Sequence, residues 1–190
     1  MHCKCAKTDD VALDFGRRDA AYDRFLCKLE SRLEALSESI NPSLSVRYRT
    51  VCTMRLKDFI DRVVRGTYKY AFEDNETLLE STSARCAVMS VEYVERACMK
   101  GLPSINLYRL FLAGFMIAFK FMNDAQADAQ WWAHVGGFDL KEINAAELQL
   151  CCKLDWQMSI SPISYSIQLQ KLTLANGSFR DIEIRAIEAV

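Results

Sequence analysis

The sequence predicts an all-α fold wrapped around one central apolar helix, and three observations carry that expectation. Glycine and proline are scarce, at 7 and 3 in 190 residues. That is under half the ordinary share of about 12%, and sheet-rich folds need more turns than this composition supplies. Apolar residues recur at helical rather than alternating spacing in one segment after another. One segment, Leu110–Phe119, is apolar without interruption, as expected of a helix enclosed by others. A membrane span needs about twenty such residues, so this shorter run reads as buried core.

The length suits one domain with short arms, divided as an N-terminal arm and flanking helix over 1–53, a core over 54–173 and a C-terminal tail over 174–190. Residues 1–16 lack periodicity. Tyr22, Phe25, Leu26, Leu29, Leu33 and Leu36 predict an amphipathic helix over about 17–38, closed by Asn41-Pro42-Ser43. Leu56, Phe59, Ile60, Val63 and Val64 mark a second helix over about 54–70, followed by a turn at Phe72–Asn75. The third, about 77–99, opens on Thr77 and Glu80 as a capping box. It carries the stripe Ala84, Ala87, Val88, Val91, Val94 and Cys98, and stops at Gly101-Leu102-Pro103. The central helix covers about 104–123. A short helix fits the stretch from Asp124 to Phe138. Asp139 and Glu142 form a second capping box for a helix over about 140–155. Ser161-Pro162, as N-cap and first helical residue, opens the last core helix over about 162–173. Asn176-Gly177 is a turn signal, and the tail 178–190 fits helix or strand.

Net charge is −1, which disfavours nucleic acid as a partner because phosphate backbones select a basic face. The start, Met1 to Asp10, is polar and charged, unlike a secretory signal. An intracellular location, cytoplasmic and/or nuclear, is expected, with no membrane partner. Cys27, Cys86, Cys98 and Cys151 fall within helical apolar patterns and read as reduced thiols packed as small hydrophobes. His2, Cys3 and Cys5 are too few for a structural metal site. No metal, cofactor or small-molecule substrate is expected.

Two charges break the pattern. Lys120 sits inside the apolar run Phe115–Phe121, with Ile117 and Phe121 beside it. Glu147 falls within the stripe Leu140, Ile143, Leu150, Cys151 and Leu154, about 40° from Ile143 and Cys151 and about 20° from Leu154. A buried charge needs a partner. The two side chains can satisfy one another across neighbouring helices, or Lys120 can reach water along its stem. Alternatively they flank an apolar patch that receives an outside partner. Opposite charges beside such a patch suit the end of a partner's helix.

From Ser104 to Met158 the chain resembles the cyclin box. The pieces are Asn106–Leu110, Ala118–Asp124, Trp132–Gly137, Glu142–Asn144, Glu147 and Leu154-Asp155-Trp156, with a weaker match at Met54–Val64 and Ser90–Arg96. In this order and spacing they are most similar to the phosphate-signalling cyclins of fungi and the P/U-type cyclins, and the resemblance covers about 54–172. It implies a five-helix cyclin-box core around a central apolar helix, to which the pattern of residues 17–38 adds an extra N-terminal helix and residues 174–190 a short C-terminal tail. It implies a non-catalytic regulatory subunit that binds and activates a cyclin-dependent kinase catalytic subunit. It further implies that Lys120 and Glu147 hold the backbone near the kinase C-helix. Ile117, Phe121, Cys151 and Met158 fall where cyclins line a pocket for an apolar side chain of that helix. The substrate-docking motif of cell-cycle cyclins begins like Met54-Arg55, but its apolar positions are here Lys57, Asp58 and Asp61, so that groove is not expected.

Other readings remain. A transcription-factor-like module, as in the core of transcription factor II B, predicts paired boxes and a basic face. A cyclin-fold scaffold without kinase activation has the same core. An enzyme built on His134 and a cysteine lacks a glycine-rich phosphate loop or metal spacing.

Overall fold

The computed structural model describes residues 20–40, 54–71, 76–100, 106–123 and 127–173. The sequence expectations for His2, Cys3 and Cys5, for the turns at 41–43, 72–75, 101–103 and 176–177, for the Thr77–Glu80 capping box and for the tail lie outside the described residues and side chains.

The described residues form helices α1 Ala20–Ile40, α2 Leu56–Ala71, α3 Glu76–Met99, α4 Leu107–Met122, α5 Ala129–Gly136, α6 Leu140–Lys153 and α7 Pro162–Thr173. The fold is all-α, as the spacing predicts. Helix α4 is the hub and packs on α1, α2, α3, α5 and α6. Its side chains are buried continuously from Leu110 to Phe119, so the apolar circumference in the sequence has its cause in neighbours on every side. The start at Leu107 rather than 104 is set by Asn106, whose side chain accepts a hydrogen bond from the Tyr108 N–H at 2.9 Å.

The approach of α3 to α4 is close at one point. A Cβ added to Gly114 would stand 2.7 Å from Ser90 Oγ and 3.2 Å from the Ser90 carbonyl oxygen. Ser90 is also fixed, donating to the Phe111 carbonyl at 2.9 Å. Gly114→Ala is therefore expected to lower unfolding free energy by about 1–3 kcal/mol through overpacking. Helix propensity alone would instead favour alanine by about 1 kcal/mol, so the sign of the shift in a denaturant titration decides between the two.

Helix α1 is part of the core, with Tyr22, Phe25, Leu26, Leu29 and Leu33 buried. Polar clamps fix its register. Tyr22 donates to Asp61 Oδ1 at 2.6 Å, and Arg65 reaches the same oxygen at 2.7 Å. Glu95 on α3 joins three helices: Arg32 of α1 pairs with it, Gln168 of α7 donates to it at 2.5 Å, and Lys171 lies 3.8 Å away. Gln168 also donates to Glu92 at 2.6 Å. Cys27 departs from the expected packing: it is exposed, because it falls about 100° past Leu26 and off the buried stripe.

Helix α5 opens on Asp128, whose carboxylate accepts from the Trp131 N–H at 2.6 Å. It closes on Gly137 at φ 69°, a left-handed cap suited to glycine. At the start of α6, Glu142 accepts from the Asp139 N–H at 3.2 Å, as the capping pattern predicts. The end of α6 differs from expectation. The helix stops at Lys153 because Asp155 and Trp156 take left-handed backbone, at φ 52° and 60°, with the Trp156 N–H bonded to the Cys151 carbonyl at 3.0 Å. The segment beyond is tied to α3. Tyr93 donates to the Met158 carbonyl at 2.6 Å, and Arg96 donates to the Gln157 carbonyl at 3.0 Å. Ser161 caps α7 through its Oγ, which accepts from the Ser164 N–H at 3.1 Å.

Candidate functional site

Lys120 lies in the last turn of α4, where a cation meets the negative end of the helix dipole. Glu147 lies on α6, which packs against α4. Lys120 Nζ donates to Glu147 Oε1 at 2.6 Å. The side chains are 33% and 24% exposed, so the pair is joined internally yet open to solvent. Of the remaining residues singled out in the sequence, Ile117 and Cys151 are buried at 5% and 6% exposure. Met158 is half-buried and packs against the core. Phe121 is 53% exposed, large for an aromatic ring. Trp156, held on its left-handed turn, is 65% exposed.

Phe121 opens into a hollow of about 320 Å³ between α3, the end of α4 and the start of α7. Met89, Met122, Ile160, Pro162 and Tyr165 also line it. The sequence reading reached Phe121 but not the other walls, which come from three separate segments. The segment leading into α7 offered one signal: Ile160 and Pro162 lie within four residues of Met158.

The face at Met54–Asp61 is occupied by the chain's own charges. Arg55 pairs with Asp58 at 3.0 Å, Lys57 pairs with Asp23 of α1 at 2.7 Å, and Asp61 is buried beneath Tyr22. No apolar groove of the cell-cycle type is built from these positions.

His134 is exposed, and its carbonyl accepts from Arg62 at 3.2 Å. Burial pushes the Cys86 thiol up to about 12 and the Cys98 thiol up to about 11, and burial followed by the Glu147 charge raises Cys151. These three thiols stay protonated and weakly nucleophilic at neutral pH. Iodoacetamide on the native protein is expected to modify Cys27 and Cys152, both exposed, well before Cys86, Cys98 and Cys151. Peptide mapping by mass spectrometry reads the order. Among the described residues no three potential metal ligands cluster, and no helix is long and apolar enough to cross a membrane.

The family model described as Cyclin matches residues 50–158, a segment holding α2 to α6 and all six residues considered above. The chain belongs to the cyclin family. Cyclin-U4-1 of Arabidopsis thaliana is 27% identical over 118 residues, 60% of this chain and 52% of the relative. Cyclin-P3-1 of Oryza sativa subsp. japonica is 32% identical over 98 residues, 48% of this chain and 42% of the relative. PHO85 cyclin-1 of Saccharomyces cerevisiae is 34% identical over 119 residues, 62% of this chain and 40% of the relative. The matched segment thus spans about half the length of these relatives or less. No solved structure matches the chain. Within the family this cyclin falls with the P-type, U-type and PHO85 group, as the motifs from Asn106 to Trp156 suggest. Its helices α1 and α7 lie outside the matched segment.

Proposed function

We propose that this cyclin is a regulatory subunit that binds a cyclin-dependent kinase and activates it by holding the kinase C-helix. One observation carries the reading: Lys120 and Glu147 form a half-open ion pair beside an exposed Phe121. A pair this accessible contributes about 0–1 kcal/mol to the fold, so separating it for a partner costs little. Lys120 then donates to carbonyls at the end of the partner's helix and Glu147 accepts from its N–H groups, which lack partners within a helix. Phe121 covers an apolar side chain of the same helix, and Ile117, Cys151 and Met158 are the residues that the cyclin resemblance assigns to the same pocket. The likeness to PHO85 cyclin-1, a relative of the phosphate-signalling group that the motifs resemble, supports the same class of partner here.

Activation follows from differential binding. Phosphoryl transfer in protein kinases requires a strand lysine paired with a glutamate of the C-helix. A subunit that binds the active position of that helix more tightly shifts the population toward it. In this reading the kinase supplies the catalytic groups and the cyclin positions them. We expect a complex burying about 2,000 Å² or more. The test mixes purified chain with each cyclin-dependent kinase of its source organism. A stoichiometric complex with raised phosphoryl transfer is expected from at least one, and the absence of any complex contradicts the proposal.

A further inference from the structure

We propose that the hollow between α3, α4 and α7 is a second anchor point for the kinase, one that accepts an apolar side chain flanked by an aspartate or glutamate that pairs with Arg85. This inference rests on the kinase-binding reading and deepens it, since it names the chemistry that selects the partner.

The hollow lies outside the pair of charges and is reached through Phe121, the neighbour of Lys120 in the chain. Phe121, which follows Lys120 on α4, is thus both a wall of the hollow and part of the proposed kinase-binding face. Its walls are mainly apolar: Met89, Phe121, Met122, Ile160, Pro162 and Tyr165. Phe121, Met122 and the adjacent Ile163 stand exposed, apolar surface that the hydrophobic effect favours covering. At about 320 Å³ the hollow is at the small end of ligand-sized pockets, which run from about 300 to 1,000 Å³, and suits a single large side chain. Methionine walls adapt to the shape of such a side chain.

Arg85 gives the hollow its sign. It lines the cavity and is exposed. Arg32, Arg55, Arg65 and Arg109 are each paired with a carboxylate, and Arg62 and Arg96 with backbone carbonyls. Exposed Arg24 and Arg85 have no such bond among the described residues, and of the two it is Arg85 that lines the hollow. A guanidinium left unpaired against apolar walls matches a carboxylate in fork geometry, and its attraction strengthens as the docking surface excludes water. Among the described residues no acidic side chain lines the hollow, and a carboxylate of the partner is the complement proposed.

The test is a titration of the kinase bound by the wild-type chain, read as Kd at two salt concentrations, with Arg85→Glu and Ser166→Trp. Ser166 lines the hollow at an exposed position, so the tryptophan fills the space without entering the core. Arg85→Glu is expected to raise Kd by about tenfold or more, by more at low salt than at high salt. Ser166→Trp is expected to weaken binding comparably, with an unchanged melting temperature. Replacing the acidic residues of the kinase one at a time by lysine is expected to find one that restores binding to Arg85→Glu. If both variants bind as wild type does while Lys120→Ala with Glu147→Ala does not, the second anchor is wrong and the kinase-binding reading stands. If the wild-type chain binds no kinase, that reading falls first and takes the anchor with it.

Discussion

A chain carrying both Lys120→Ala and Glu147→Ala is expected to fold as the wild type does and to bind its kinase about 2–5 kcal/mol more weakly, which is roughly thirtyfold to several thousandfold in Kd. The two expectations have different causes. The pair is part-buried, at 33% and 24% exposure, and the double variant leaves neither charge unpaired, so its loss removes about 1 kcal/mol from the fold. In the proposed complex the same groups are desolvated and bonded to backbone. Truncating them leaves the partner's helix-end groups buried and unpaired. A melting curve and a titration on the same preparation separate the two effects. The single variants are expected to fall between, and not to add, because Lys120 and Glu147 bond one another directly and the loss of either changes what the other can do.

Trp132→Ala is expected to have the largest effect on stability, about 3–5 kcal/mol. Its ring is fully buried and lies where α4 and α5 meet, 5.5 Å from the Phe119 ring centroid, 6.1 Å from that of Phe115 and 4.8 Å from that of Trp131. Alanine would leave a cavity against the central helix, and α4 cannot collapse into it because its other sides are already packed. Against a typical total of about 5–15 kcal/mol, the loss takes much of the margin. Trp132→Phe is expected to be far milder than the area lost suggests. The indole Nε1 is buried without a hydrogen-bond partner, an unmet donor of a kind that costs about 1–3 kcal/mol. Phenylalanine removes that group along with part of the ring. Urea unfolding of the three proteins gives the order directly.

Local features were legible in the sequence, and long-range ones were not. Helix α4 announced itself because a helix enclosed on every side must be apolar all round. Ser161-Pro162 and Asp139–Glu142 announced helix starts because capping is a matter of a few adjacent residues. Lys120 and Glu147 stood out because each interrupts an apolar face. Their direct bond was one of the outcomes the spacing allowed, and their openness to solvent depended on the rest of the fold.

The turn at Asp155-Trp156 was missed because left-handed backbone gives no signal when neither residue is glycine. Cys27 was misjudged by one position on its helix. The Glu95 junction was invisible, since Arg32 and Gln168 lie 63 and 73 residues from it in the chain. The hollow was invisible for the same reason. Phe121 could be found from its place after Lys120, but Met89, Ile160 and Tyr165 share a wall with it only through the packing of α3 and α7.

The most direct measurement is a crystal structure of the cyclin bound to its kinase. The account predicts Lys120 Nζ and the Glu147 carboxylate within hydrogen-bond distance of main-chain groups at the end of the kinase C-helix, with Phe121 covered by an apolar side chain of that helix. A kinase seated on another face, with Lys120 and Glu147 still bonded only to each other and Phe121 still in water, would contradict it.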